Sequence, residues 1–221
     1  MTEPNYDPID RRPIQSRNTR WAETVTRLLV NCGISPNTIS ILGMLAAVVA
    51  GVSFYSTELV SGTGQRALWF CGGMLCQIRL LCNLFDGMVA VKCDLASPKG
   101  ELYNEVPDRV SDTAVFIGLG YSMGGDIAMG YVAALVSVFV AYVRAASKSI
   151  GAPNDFCGPM AKPQRMALTT AVAMYLAFAP GTWRLQLSGP NVVLLIVIVG
   201  GIVTAVRRLM RAAKYLEGPA K

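Results

Sequence analysis

Between Thr38 and Ser56 the chain runs through nineteen residues without a charged side chain. As a helix such a stretch extends about 28 Å, close to the roughly 30 Å of a bilayer's hydrocarbon core. Five further stretches, some carrying charges at one end, also read as spans: about Arg66 to Lys92, Lys99 to Tyr121, Ile127 to Ser147, Met166 to Ala179 and Asn191 to Val206. With 52% hydrophobic and 15% charged residues, the composition excludes an ordinary soluble domain. An all-α polytopic membrane protein with six transmembrane helices is predicted.

The flanks differ. Residues 1–16 carry three prolines and several charges, and are expected to form a flexible arm. No apolar signal core is seen there, so no cleaved signal peptide is expected. Residues 17–33 change pattern: Trp21, Val25, Leu28, Leu29 and Cys32 fall at i, i+4, i+7, i+8 and i+11. That periodicity predicts an amphipathic helix lying at the membrane interface. The six-span domain then covers 34–214, and 215–221 form a tail.

Against this apolar background, Asn83 to Asp112 holds six carboxylates: Asp86, Asp94, Glu101, Glu105, Asp108 and Asp112. Asn83 and Asp86 are three apart and share a helical face, and Asn104, Asp108 and Asp112 form an i, i+4, i+8 row. Pro98 forbids one continuous helix between the two groups, and Ser97 is a plausible cap for the second helix. Two helices therefore present oxygen donors from the same side of the bilayer, an arrangement suited to a hard divalent cation. A solvated acidic loop accounts for Asp94 or Glu101, but not for the regular row.

The segment reads Asn83-x-x-Asp86-Gly87-x-x-Ala90-Val91, eight residues, then Gly100-x-x-x-Asn104-x-x-x-Asp108. It resembles the signature of the CDP-alcohol phosphotransferases, D-x-x-D-G-x-x-A-R-x8-G-x-x-x-D-x-x-x-D. The first and third Asp are Asn83 and Asn104 here, and the Arg is Val91 with Lys92 beside it. An Asn carbonyl can ligate a cation but brings no charge.

The resemblance implies transfer of a substituted phosphate, here phosphatidyl, from a CDP-linked lipid to an alcohol with release of CMP. It implies Mg²⁺ or Mn²⁺ held by Asp86, Asp108, Asn83 and Asn104, with help from Asp112. Asp108 would be the base that takes the acceptor's proton. Gly87, Ala90, Gly100 and Lys92 would face the CDP donor, CDP-diacylglycerol being expected. Arg79 lies four residues before Asn83 and seven before Asp86 on the same side of the helix, and either joins them in holding the donor phosphate or forms a structural ion pair with the acidic cluster. Lys162, Arg165 and Arg144 would hold an acceptor phosphate. A homodimer is implied as well. Two readings from other classes stand beside it: a non-catalytic member that binds lipid or nucleotide, and a transporter. The two Asn residues favour the former; carboxylates clustered at one interface, without an inverted repeat, speak against the latter.

Charge distribution orients the scheme. Six spans put both termini and the second and fourth loops on one side, with Arg20, Arg27, Lys92, Arg144, Lys148, Lys162 and Arg165; the opposite loops hold only Arg66 and Arg184. The positive-inside rule makes the acidic site and both termini cytosolic at the cell (inner) membrane. The net charge of +6 comes without a basic stripe interleaved with aromatics, so no nucleic-acid partner is expected. Arg207, Arg208, Arg211 and Lys214 read as a basic tail for anionic lipid. No histidine occurs, which removes Ser-His and Cys-His chemistry. None of the six cysteines forms a C-x-x-C pair, and they read as small apolar filler.

Overall fold

A computed structural model describes residues 19–95, 98–179 and 189–217, with the side chains of 98, 99 and 101 left aside. The 1–16 arm, the Ser97 cap and Arg184 lie outside the described residues. The described residues form seven helices in order: α1 (Arg20–Asn31), α2 (Pro36–Ser56), α3 (Gly62–Lys92), α4 (Pro98–Gly120), α5 (Ile127–Ser149), α6 (Lys162–Phe178) and α7 (Gly189–Leu216). No strand occurs among the described residues. Four of them, α2, α3, α5 and α7, are long and apolar enough to cross a bilayer.

Local chemistry sets the boundaries. Ser35 caps α2, its Oγ accepting from Thr38 N–H at 3.1 Å, with Pro36 in the first turn where its missing N–H costs nothing. Asp126 caps α5 in the same way, Oδ1 accepting from Met129 N–H at 2.8 Å. At the end of α3, Asp94 turns left-handed (φ 54°), and Leu95 N–H reaches back to the Ala90 carbonyl at 2.9 Å. With Asp94 N–H on the Val91 carbonyl at 3.2 Å, this closes the helix in a Schellman motif just beyond the first half of the signature. Helix α4 runs through Pro107, which offers no N–H to the preceding turn.

The core is built on small residues. Ala47, Ala50, Phe54, Trp69, Cys76, Val115, Phe116, Leu119, Ala173, Leu194 and Val197 are buried together. Helix α2 packs on both α3 and α4; α3 also meets α6, α4 meets α5, and α5 meets α7. Gly51 and Gly118 let α2 and α4 touch backbone to backbone: a Cβ on Gly118 would stand 2.2 Å from the Gly51 carbonyl oxygen. Without a hydrophobic force between helices in lipid, such close backbone approach is what holds them. The outer faces are the reverse. Leu42, Leu45, Val49 and Val52 on α2, and Leu195, Val199, Ile202 and Val206 on α7, are large, apolar and exposed, as hydrocarbon solvent permits.

Helix α1 rests on α3. Ala22 and Thr26 are its buried residues, and Val25 and Leu29 pack beside Ile39, Phe85 and Val89. Trp21 meets Phe85 edge to face at 5.8 Å, yet Trp21 and Leu28 remain half exposed. The apolar stripe of the sequence is thus divided between the protein and its surroundings.

Two helices run beyond their sequence bounds. Helix α6 begins at Lys162 rather than Met166, and α7 continues through the basic segment to Leu216. Arg208 is therefore no part of a loose tail: it is buried, one turn beyond Thr204 on the inner face of α7.

Candidate active site

The signature residues meet where the C-terminal turns of α3 approach the N-terminal turns of α4. A cleft of about 190 Å³ is lined there by Ser40, Arg79, Asn83, Asn104, Asp108 and Ser111, among others. Asp86 lies buried behind it, its Oδ2 accepting from Ser40 Oγ at 2.7 Å. Ser40 comes from α2, so three helices build the wall.

Asp108 and Asp112 sit one turn apart on α4, both buried. Arg79 of α3 is 1% exposed, and its Nη2 reaches Asp108 Oδ1 at 3.0 Å and Asp112 Oδ1 at 3.3 Å. The second oxygen of Asp108 pairs with Lys162, and that of Asp112 with Arg165 Nη2 at 2.5 Å. Lys162 and Arg165 share the first turn of α6. The α5–α6 loop thus brings both basic residues onto the α4 row, where they pair with carboxylates of the protein. Arg79, Lys162 and Arg165, all buried or half-buried, equal in number the carboxylates Asp86, Asp108 and Asp112, so the formal charges of this set cancel.

A second cleft, of about 660 Å³, opens beside the first. Arg144, Ser147, Asn154, Asp155, Arg208, Arg211 and Tyr215 line it. Glu105, next in sequence to Asn104 of the first cleft, pairs with Arg109 on its own helix and with Arg144 of the second cleft on α5. Arg144 also lies over the Phe156 ring, 5.3 Å from its centroid. Arg208 fastens the α5–α6 loop to α7, donating to the Cys157 carbonyl at 3.0 Å and to the Val140 carbonyl at 3.1 Å. Thr204 Oγ1 accepts from Met160 N–H at 3.1 Å in the same seam.

Of the remaining sequence-selected residues, Gly87 and Ala90 are half-buried on the last turns of α3, and Gly100 is half-buried at the start of α4. Lys92 is exposed at the end of α3 and joins none of the described ion pairs. Sequence reasoning missed Ser40 and the inward role of Arg208. For Arg208 a signal existed, because Val197, Gly201, Thr204 and Arg208 follow one another at i+4, i+3 and i+4.

A family model described as CDP-alcohol phosphatidyltransferase matches residues 33–212. The chain belongs to this family. Its members are membrane enzymes of phospholipid biosynthesis that use Mg²⁺ or Mn²⁺. Among curated relatives, a phosphatidylinositol phosphate synthase of Streptomyces avermitilis is 28% identical over 87% of this chain and 78% of its own length. The archaetidylinositol phosphate synthase of Pyrococcus horikoshii is 22% identical over 88% and 92%. Among solved structures, Mycobacterium tuberculosis phosphatidylinositol phosphate synthase with CDP-DAG bound superposes with a TM-score of 0.72 at 21% identity, covering 88% of this chain and 94% of that one. The same enzyme in complex with manganese and citrate gives 0.70 at 21% identity, covering 86% and 88%.

A divalent ion can be weighed against the side chains present. Hard cations need several anionic or carbonyl oxygens with free lone pairs. Both oxygens of Asp108 and of Asp112 already face protein cations, and two of the four signature positions are uncharged amides. Among the described residues no three acidic or thiol side chains come together around a point that could hold a metal ion. As the side chains stand, the set does not fit an ion resident on the ligand-free protein.

Proposed function

We propose that this chain transfers a phosphatidyl group from CDP-diacylglycerol to a phosphorylated polyol of the inositol phosphate class, releasing CMP at the cytosolic face of the cell membrane. The observation that carries the acceptor class is the second cleft. Arg144, Arg208 and Arg211 converge there; Glu105 pairs with Arg144 and Asp155 with Arg211, which leaves the group net positive. Guanidinium groups in that number suit a phosphate better than an uncharged alcohol. The phosphatidylinositol phosphate synthases among the relatives agree with this choice.

In the proposed reaction an acceptor hydroxyl attacks the lipid-side phosphorus of the donor, and the bond to CMP breaks. Asp108 takes the hydroxyl proton at Oδ2, once Lys162 leaves that oxygen for a substrate phosphate. Arg79 and Asn83, with Asn104 across the cleft, receive the diphosphate, and Asp112 keeps Arg79 and Arg165 in place. Gly87, Ala90 and Gly100 leave space for the cytidine against α3 and α4. Electrostatic stabilisation of the developing charge then falls to preplaced cations.

The same proposal covers the setting. All six helices α2 to α7 span the bilayer, and α1 lies in the interface with Trp21 and Leu28 towards lipid. The exposed Arg207 and Lys214 meet anionic headgroups. The protein works as a homodimer, as the family resemblance implies. The test is CMP release by purified protein given CDP-diacylglycerol and a panel of acceptors: inositol phosphate, glycerol phosphate, free inositol and serine. Inositol phosphate is expected to lead; equal rates with free inositol would refute the acceptor class.

One second reading has an observation in its favour. Both oxygens of Asp108 are engaged, which suits a protein that binds nucleotide or lipid without turning it over. CDP binding with no CMP release from any acceptor would decide for it.

A further inference from the structure

A guanidinium sealed from solvent normally has its donors satisfied. Arg79 departs from this. Its Nη2 serves both Asp108 and Asp112, while Nε and Nη1 are buried and have no hydrogen-bond partner. Three N–H groups therefore stay unused on a residue that lines the first cleft. The neighbouring turns of α3 pack with apolar residues such as Leu80, Leu84 and Phe85, so the two α4 carboxylates are the partners that hold this guanidinium.

The charges around it tell the same story. Asn83 and Asn104 remove two negative charges from the signature, and Arg79 adds a positive one between the helices. With Lys162 and Arg165 the set is already neutral. Adding a divalent ion would leave two uncompensated positive charges in a partly buried site, a heavy electrostatic cost unless a ligand brings negative charge with it. A nucleotide diphosphate brings that charge, together with oxygens for the unused N–H groups.

We infer that Arg79 is the protein's own cation at this site: in the ligand-free protein its guanidinium holds the α4 carboxylates in place of a divalent ion, its unused donors receive diphosphate oxygens, and Mg²⁺ or Mn²⁺ enters only with that anionic ligand. The diphosphate part rests on the function proposed above; the part concerning the free protein does not.

The experiment follows free Mn²⁺ by electron paramagnetic resonance as the full chain, purified in detergent, is added without nucleotide. The wild type is expected to leave the signal undiminished up to about 1 mM Mn²⁺, the weak end of the range for oxygen-ligand sites. Stoichiometric uptake at micromolar Mn²⁺ would overturn the inference. The triple variant Arg79→Leu, Asn83→Asp, Asn104→Asp is expected to take up Mn²⁺ at least about tenfold more tightly. If it keeps the wild-type circular dichroism yet gains nothing, Arg79 does not hold the ion's place; if it fails to fold, the wild-type titration still decides. With CDP present, wild-type protein is expected to take up Mn²⁺, and Arg79→Gln to weaken CDP binding by roughly 10- to 100-fold, the worth of lost charge-assisted hydrogen bonds. Wild type that binds CDP but takes up no Mn²⁺ beside it refutes joint entry. Wild type that binds no CDP under any condition refutes the diphosphate part and the proposed function, and leaves the place of Arg79 to the nucleotide-free titration.

Discussion

The two clefts lie side by side and differ in one respect above all. In the first, every carboxylate of the α4 row meets a cation within the protein, and the cleft is small. In the second, three arginines outnumber the two carboxylates that meet them, Glu105 and Asp155, and the space is about three and a half times as large. A neutral, tight site discriminates by geometry, since any ligand must exchange one set of close pairs for another. An open, basic site draws phosphate from a distance and holds it loosely until more contacts form. Glu105, shared between Arg109 and Arg144, ties the helix that carries the first cleft's row to an arginine of the second.

The comparison can be broken most severely at Asp108. If the first cleft performs the chemistry, Asp108→Asn loses CMP release by at least about 10³-fold, within the range for a general base and its electrostatics. A variant retaining activity would move the chemistry elsewhere. Next is Asp112→Asn, which strips one partner from both Arg79 and Arg165 in a buried setting. It is expected to cost about 3–5 kcal/mol of stability, read as a lower thermal midpoint in detergent. A midpoint unchanged from wild type would mean the pairing is not truly buried.

Arg208→Ala probes the second cleft alone. The apparent KM for a phosphorylated acceptor should rise roughly 10- to 100-fold, with the KM for the CDP-linked lipid unchanged. Equal losses for both substrates would show that Arg208 serves only to fasten the loop. The smallest effect is expected at Lys92, exposed and outside both clefts: Lys92→Ala should change activity less than about twofold, as for other surface charges. A larger loss would bring Lys92 into donor binding after all.

Much of this architecture was legible in the residues. Apolar stretches located most helix ends to within a few positions, because in lipid the backbone has few alternatives to helix; the end of α7 lies ten residues beyond Val206, in a basic segment that hydropathy does not mark. The i, i+4, i+8 row announced that Asn104, Asp108 and Asp112 face one way, and Pro98 that a second helix begins there. The partner of Arg79 was only half legible. A basic residue in an apolar helix needs a counter-charge, but whether a side chain or a ligand supplies it depends on how α3 and α4 turn toward each other. Arg208 was misread because four basic residues in eight look alike on paper. Only the packing of α7 against the α5–α6 loop separates the buried one from exposed Arg207 and Lys214. Ser40 gave no warning at all: a serine in an apolar helix is common, and its contact with Asp86 is 46 positions away in sequence.

The glycine contact between α2 and α4 has a bearing on all of this. Ser40 belongs to α2, Asp108 and Asp112 to α4, and main chains rather than adjustable rotamers set the gap between those two helices. They act as a fixed gauge on which the width of the reaction chamber is registered. Changes in bilayer thickness that tilt the outer helices will then leave that width untouched, while a single methyl group added at Gly118 resets it.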